Sequence, residues 1–230
     1  MPLYYGYGMD LAYLGIAVVS LLLGMLTQGF INSTYKRWSL VPASSGATGA
    51  QVARAMLDGS GASAVGITQV AGHLTDYYDP RDNRLHLSEE NYEGGSVASV
   101  AVACHEAGHA VQTAKGYLPG RFRTALVPVV NFTQQTWMLV LVLGIMLNIS
   151  GLTQLAVLLF GFSVLFQLVT LPVEIDASRR AVAYLRSSGA AVDERGARQV
   201  LTAAALTYVS AALVSVLQLA YIISRSGDRR

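Results

Sequence analysis

The chain has 230 residues, of which 53% are hydrophobic and only 13% charged, with a formal net charge of +2. Soluble domains carry roughly a quarter charged residues, so this composition points to a membrane protein. The small net charge argues against a nucleic-acid partner. The single cysteine, Cys104, excludes an intrachain disulfide and reads as a small buried apolar residue.

The N-terminal stretch lacks a basic region and a cleavage site, so the apolar run after it reads as a retained helix, not a signal peptide. Residues 11–31 are uncharged, long enough to span about 30 Å of hydrocarbon at about 1.5 Å per residue. Tyr35, Lys36, Arg37 and Trp38 follow as an interfacial anchor. Residues 41–49, rich in Pro, Ser and Gly, read as a loop. Residues 47–57 read as a helix with Val52, Ala55 and Met56 at helical spacing, stopped by the glycine-rich stretch 58–62. Residues 65–88 predict two or three antiparallel strands with a tight turn at Asp79-Pro80-Arg81-Asp82-Asn83. A polar connection leads to a helix over 96–114, with Ser96 as its N-cap and Gly116 as its stop.

Residues 124–173 carry no charge, and Asn148-Ile149-Ser150-Gly151 marks a turn inside them. They predict a transmembrane hairpin over 129–147 and 152–171. Residues 174–187 are charged and helical, broken at Ser188-Gly189, and 199–224 form a fourth uncharged run. The expected class is therefore a mainly α membrane protein. It has about four transmembrane helices and a small cytoplasmic α+β domain with a short antiparallel sheet. The expected segments are a first transmembrane helix and anchor (1–38), a region with the strands and the helix over 96–114 (39–128), a transmembrane hairpin (129–171), a charged helix (172–198), and a fourth transmembrane helix and tail (199–230).

Four spans put 32–128 and 172–198 on one side of the membrane. Of the 16 Lys and Arg, only Arg225, Arg229 and Arg230 lie elsewhere, so the positive-inside bias places that side in the cytoplasm.

The stretch that carries chemistry is His105-Glu106-Ala107-Gly108-His109, inside the helix over 96–114. Residues i and i+4 share a helix face, so His105 and His109 can present two imidazoles to one metal ion. Glu106 beside them is placed to act as general base on a metal-activated water. A catalytic zinc needs a third protein ligand. Glu174 is the preferred candidate, because a carboxylate at the end of an apolar run needs a partner and is too short to snorkel. Asp176, His73 and His86 are alternatives, and Asp176 can instead pair with Arg180 at i+4. Tyr184, Arg179, Arg180, Tyr77 and Tyr78 are candidates for holding the oxyanion. An extended substrate could pair with a strand from 65–88.

Several stretches resemble the YugP-type family of bacterial membrane zinc metallopeptidases. They are Asp76-Tyr77-Tyr78-Asp79-Pro80, Leu85-His86-Leu87-Ser88, the run from His105 to Gln112, and the run from Phe166 to Ser178. Leu206-Thr207-Tyr208-Val209 fits as well, so the resemblance covers about 40–221. It implies a membrane-embedded zinc peptidase with one catalytic Zn2+, in the bacterial inner membrane. A wider similarity is to HtpX-like and CAAX-processing gluzincins, in which a helix carries E-x-x-A-D-x-x-A with Glu as the third ligand. Glu174, Ala177 and Ala181 match, but Ser178 stands where those families have Asp. The departure leaves the orientation of a histidine to Asp176 or a backbone carbonyl.

The reading is a zinc endopeptidase acting at the cytoplasmic membrane surface, in membrane-protein quality control or processing, with 39–128 as the zincin-like metallopeptidase region and 172–198 as the third-ligand helix. Its partners are a polypeptide substrate, membrane-proximal or membrane-inserted, and the lipid bilayer; a homo-oligomer or a regulatory membrane partner is left open. A non-catalytic zinc-stabilised scaffold is the alternative, and the presence of Glu106 weighs against it. A site-2-type intramembrane protease fits worse, because Leu57-Asp58-Gly59 precedes the motif and lies in a polar segment.

Overall fold

The computed structural model describes residues 11–187 and 191–227. In chain order the elements are helices α1 (Leu11–Ser39) and α2 (Gly49–Gly59), then strands β1 (Gly66–Val70), β2 (Tyr77–Asp79) and β3 (Arg84–Ser88). Helices α3 (Glu89–Tyr92), α4 (Val97–Ala114), α5 (Leu118–Met146), α6 (Ser150–Ser187) and α7 (Ala191–Gly227) follow. Four helices are long and apolar enough to cross a membrane: α1, α5, α6 and α7. The protein is thus a mainly α membrane protein with a small α+β head.

The head is built around α4. Ser96 caps its first turn by accepting from the Ser99 N–H at 3.1 Å, and Gly116 beyond its end takes the left-handed φ of 62°. Ala98, Ala101, Ala103, Cys104, Ala107, Gly108 and Ala110 are all buried. Small side chains on several faces let helices approach α4 from several directions, and α2, α6 and α7 all pack against it. On α2, which opens with a Thr48–Gln51 capping box, the buried residues are Val52, Ala53, Met56 and Leu57, whereas Ala55 faces out. The buried set spaces as two adjacent pairs one turn apart, and Ala55 lies off that stripe.

The sheet order is β1-β3-β2. β2 and β3 form the expected antiparallel pair, closed by a turn in which the Asp79 carboxylate accepts from the Arg81 N–H at 2.8 Å and Asn83 takes φ 56°. β1, however, runs parallel to β3, so the sheet is mixed and not wholly antiparallel. β3 takes the centre because Leu85 and Leu87 on its inner face are both fully buried. The chain leaves β1 through Gly72 (φ 116°) and Leu74 (φ 52°), which turn it across to the far edge before β2 begins. That connection leaves β2 only three residues long, Tyr77–Asp79.

Asp76 locks this strap. Its carboxylate accepts from Ser88 N–H (2.8 Å), Ser88 Oγ (3.1 Å) and Asn91 Nδ2 (2.8 Å). The Tyr35 hydroxyl then donates to Asn91 Oδ1 at 2.7 Å, and Trp38 Nε1 donates to Gln199 Oε1 on α7 at 3.0 Å. Tyr35 and Trp38, expected to anchor α1 among headgroups, therefore tie α1 to the head and to α7.

The apolar hairpin and the charged segment after it are continuous. α6 runs without a break from the turn at 147–149 through Pro172 to Ser187, so Glu174 sits within a long helix that packs against α4, α5 and α7. The break expected at Ser188-Gly189 lies outside the described residues. From Ser150 to Glu174, α6 rises about 36 Å, enough to cross the hydrocarbon first.

Candidate metal centre

α4 carries His105 and His109, and α6 brings Glu174 to them. The Glu174 Oε2 atom lies 3.2 Å from His105 Nε2 and 3.4 Å from His109 Nε2. Ligand atoms at about 2.0–2.1 Å from a tetrahedral ion stand about 3.3 Å apart, which both carboxylate–imidazole separations match, and all three donor atoms lie within 4.8 Å of one another. Among the described residues, no other trio of His, Cys, Asp or Glu brings its ligand atoms together in this way.

The close approach depends on Gly108. A Cβ there would lie 2.7 Å from the Ala177 carbonyl oxygen and 3.1 Å from its Cα. The backbones of α4 and α6 thus touch between the two histidines, and Ala177 is completely buried there.

Both imidazoles are oriented from behind. Ser178 Oγ lies 3.1 Å from His105 Nδ1, and Gln112 Oε1 lies 3.1 Å from His109 Nδ1. Gln112 Nε2 donates to Val173 O and to Asp176 Oδ2, each at 2.8 Å, which leaves only its oxygen for His109. His109 Nδ1–H therefore donates to Gln112, which leaves its Nε2 lone pair for a metal, and the Ser178 hydroxyl can accept from His105 Nδ1–H to hold the same tautomer. Ser178 itself supplies the contact that the missing Asp seemed to remove. Asp176 acts on the other histidine, through Gln112, and is held in turn by Arg180 Nε at 2.6 Å.

Glu106 is 8% exposed and faces a cavity of about 490 Å³. Burial pushes its carboxyl up to about 7, opposed by His105 and by the Tyr78 N–H. The cavity walls include Tyr77 and Tyr78 of β2, Arg121 and Arg123 of α5, and Tyr208 of α7. Arg123 Nη2 lies 3.6 Å from Glu174 Oε1, the oxygen turned away from the histidines.

The other residues singled out from sequence fall elsewhere. Tyr184 packs against the head's core and is not among the residues lining the cavity, and Arg180 lies over the Tyr117 ring, 5.8 Å from its centroid. Arg179 is exposed. His73 pairs with Glu90, and His86 pairs with Asp82 at 2.9 Å while stacking on Tyr77. Asp58 pairs with Arg54. Cys104 is fully buried, and burial pushes its thiol well above the ordinary range. Gln112, Arg123 and Tyr208 were not singled out; Gln112 and Tyr208 lie in stretches that carry the resemblance, but nothing local marks their chemistry.

The chain belongs to a zinc metallopeptidase family: residues 13–227 match the family model described as "Putative neutral zinc metallopeptidase". That family works with Zn2+, and the His105, His109 and Glu174 trio is a possible site for it. Among curated proteins the chain is 42% identical over 209 residues to "Putative membrane protease YugP" of Bacillus subtilis (strain 168), covering 90% of this chain and 93% of the relative. No solved structure matches.

Proposed function

We infer that the protein is a membrane-embedded zinc endopeptidase of the gluzincin type, hydrolysing peptide bonds at the cytoplasmic surface of the bacterial inner membrane. The observation that carries this reading is the convergence of His105, His109 and Glu174 at zinc-compatible spacing, with Glu106 on the adjoining cavity wall. When bound there, zinc would polarise the scissile carbonyl and acidify a water. Glu106 accepts the proton of the attacking water and returns it to the leaving amine, a task suited to a carboxyl held near neutrality. Ser178 and Gln112 keep the two imidazoles turned to the metal.

The peptide enters along β2, an edge strand whose Tyr77 and Tyr78 line the cavity and whose outer backbone can pair with an extended chain. Glu174 and Arg123 stand at the ends of the apolar stretches of α6 and α5, so the site lies near the membrane boundary. That placement supports membrane-proximal segments as substrates, and hence a role in membrane-protein quality control or processing. The Lys and Arg bias supports the cytoplasmic orientation.

Glu106→Gln tests the reading. The variant is expected to keep zinc at one equivalent and to lose cleavage of casein in detergent. Full cleavage by this variant would remove the proposed base, and no cleavage even by the zinc-loaded wild type would favour the non-catalytic scaffold.

A further inference from the structure

We propose that Tyr208 is a catalytic residue of this peptidase, its hydroxyl donating to the scissile carbonyl oxygen as that atom gains negative charge, with Arg123 as the residue that positions it. The inference rests on the peptidase reading above and names a group for which that reading has no occupant.

An acyl-transfer site needs a donor aimed at the developing oxyanion, from a different wall than the base. Glu106 occupies the α4 wall. Tyr184, Arg179 and Arg180 do not line the cavity; Tyr77 and Tyr78 do, but Tyr77 stacks on His86 and the Tyr78 hydroxyl donates to Asn83 Oδ1 at 3.0 Å. Tyr208 does line it, and it comes from α7, an element that contributes none of the metal-binding trio.

Tyr208 has the surroundings this role requires. It shares the lining of one cavity with Glu174, Glu106 and Arg123. A tyrosine on an apolar helix is ordinarily an interfacial residue with its hydroxyl among headgroups. Here the side chain lines a cavity whose wall also holds Glu174, a carboxylate that is 2% exposed. A hydroxyl has one proton to donate, and an oxygen of a peptide held in the cavity can receive it.

Arg123 makes that proton transferable. Its Nη2 contacts the outer oxygen of Glu174 at 3.6 Å, and its Nε is buried without a hydrogen-bond partner. A buried orphan donor is uncommon and calls for a role. With Oε2 engaged by a metal and Oε1 by the guanidinium, Glu174 competes less for the Tyr208 hydroxyl. The hydroxyl can then donate to a substrate oxygen in the same cavity.

The test uses full-length zinc-loaded protein in detergent and a quenched fluorescent peptide taken from a mapped casein cleavage site. Tyr208→Phe removes only the hydroxyl. It is expected to lower kcat by about a hundred-fold or more, with KM changed less than about threefold. Zinc affinity, read by chelator competition, should stay within about threefold of wild type. A phosphonamidate analogue of the same peptide, whose oxygens mimic the tetrahedral state, should lose affinity in step with kcat, while the product peptide should not. Arg123→Gln should lower kcat as well, and Arg123→Lys should restore part of it. A Tyr208→Phe enzyme with kcat within threefold of wild type overturns the proposal, as does a loss explained by zinc release or by an unchanged phosphonamidate affinity. If Glu106→Gln is inactive while Tyr208→Phe is fully active, only this inference fails; if Glu106→Gln is active, the peptidase reading fails first.

Discussion

Gly108→Ala isolates the contact that sets the donor spacing. The new methyl would meet the Ala177 carbonyl oxygen at 2.7 Å, where ordinary contact begins at 3.4 Å, so the helices must separate by about 0.7 Å. The partner is backbone within α6 and cannot swing aside as a side chain could. Overpacking of this kind costs about 1–3 kcal/mol, and the better helix propensity of alanine returns about 1 kcal/mol. The net loss, about 0–2 kcal/mol, shifts Tm by only a few degrees in a chain of this size.

The effect on zinc should be larger. Glu174 Oε2 now stands 3.2 and 3.4 Å from the two Nε2 atoms, and a retreat of about 0.7 Å takes both well past the about 3.3 Å that separates ligands on a tetrahedral ion at about 2.0–2.1 Å. We expect zinc affinity to fall at least tenfold, the scale seen when ligand orientation is disturbed. Chelator competition measures it, with Gly161→Ala on α6 as reference, since nothing lies within 4 Å of a Cβ at that site. Zinc affinity within threefold of wild type in Gly108→Ala would refute the argument that this backbone contact sets the site.

Four further outcomes are expected. His105→Ala and Glu174→Ala should each lose zinc in metal analysis; Asp176→Ala should keep one equivalent with affinity lowered about tenfold, because it acts only through Gln112 and His109. Ser178→Ala should weaken zinc to a similar degree while Ser178→Asp retains or strengthens it, measured by the same competition. The pH profile of kcat/KM should rise with pH and level off at or below about 7, because burial raises the Glu106 carboxyl and only its ionised form accepts a proton, while a nearby dication shifts the limb downward. A limb centred well above 7 would argue against Glu106 as the base. Tyr35→Phe should cost about 1–2 kcal/mol, since it leaves the buried Asn91 Oδ1 without its donor; a thermal melt unchanged from wild type would contradict this.

Much of the architecture is legible because its causes are local. Uncharged runs mark the membrane helices, since length and hydropathy alone decide whether a segment can span. Ser96 and Gly116 bound α4 because capping is a property of one turn. Errors arise where neighbours in space decide. β1 was expected to pair antiparallel, yet β3 takes the central place because Leu85 and Leu87 face the core. Ala55 seemed part of an apolar stripe, but α4 meets α2 along the Ala53 and Leu57 side. Tyr35 and Trp38 looked like interfacial anchors, but their polar tips find Asn91 and Gln199.

The same division runs through the site. That His105, Glu106 and His109 stand together follows from helical periodicity and needs no tertiary knowledge. A carboxylate at the end of the apolar run, Glu174, is also visible in the chain, as is the pairing of Asp176 with Arg180, because each rests on spacing within one helix. Only the folded chain decides that α4 and α6 touch backbone to backbone at Gly108 and Ala177, that Ser178 and Gln112 turn the imidazoles, and that Arg123 and Tyr208 arrive from α5 and α7. Those positions depend on how helices distant in sequence pack, and packing is set by complementary surfaces that no periodicity within a single segment encodes.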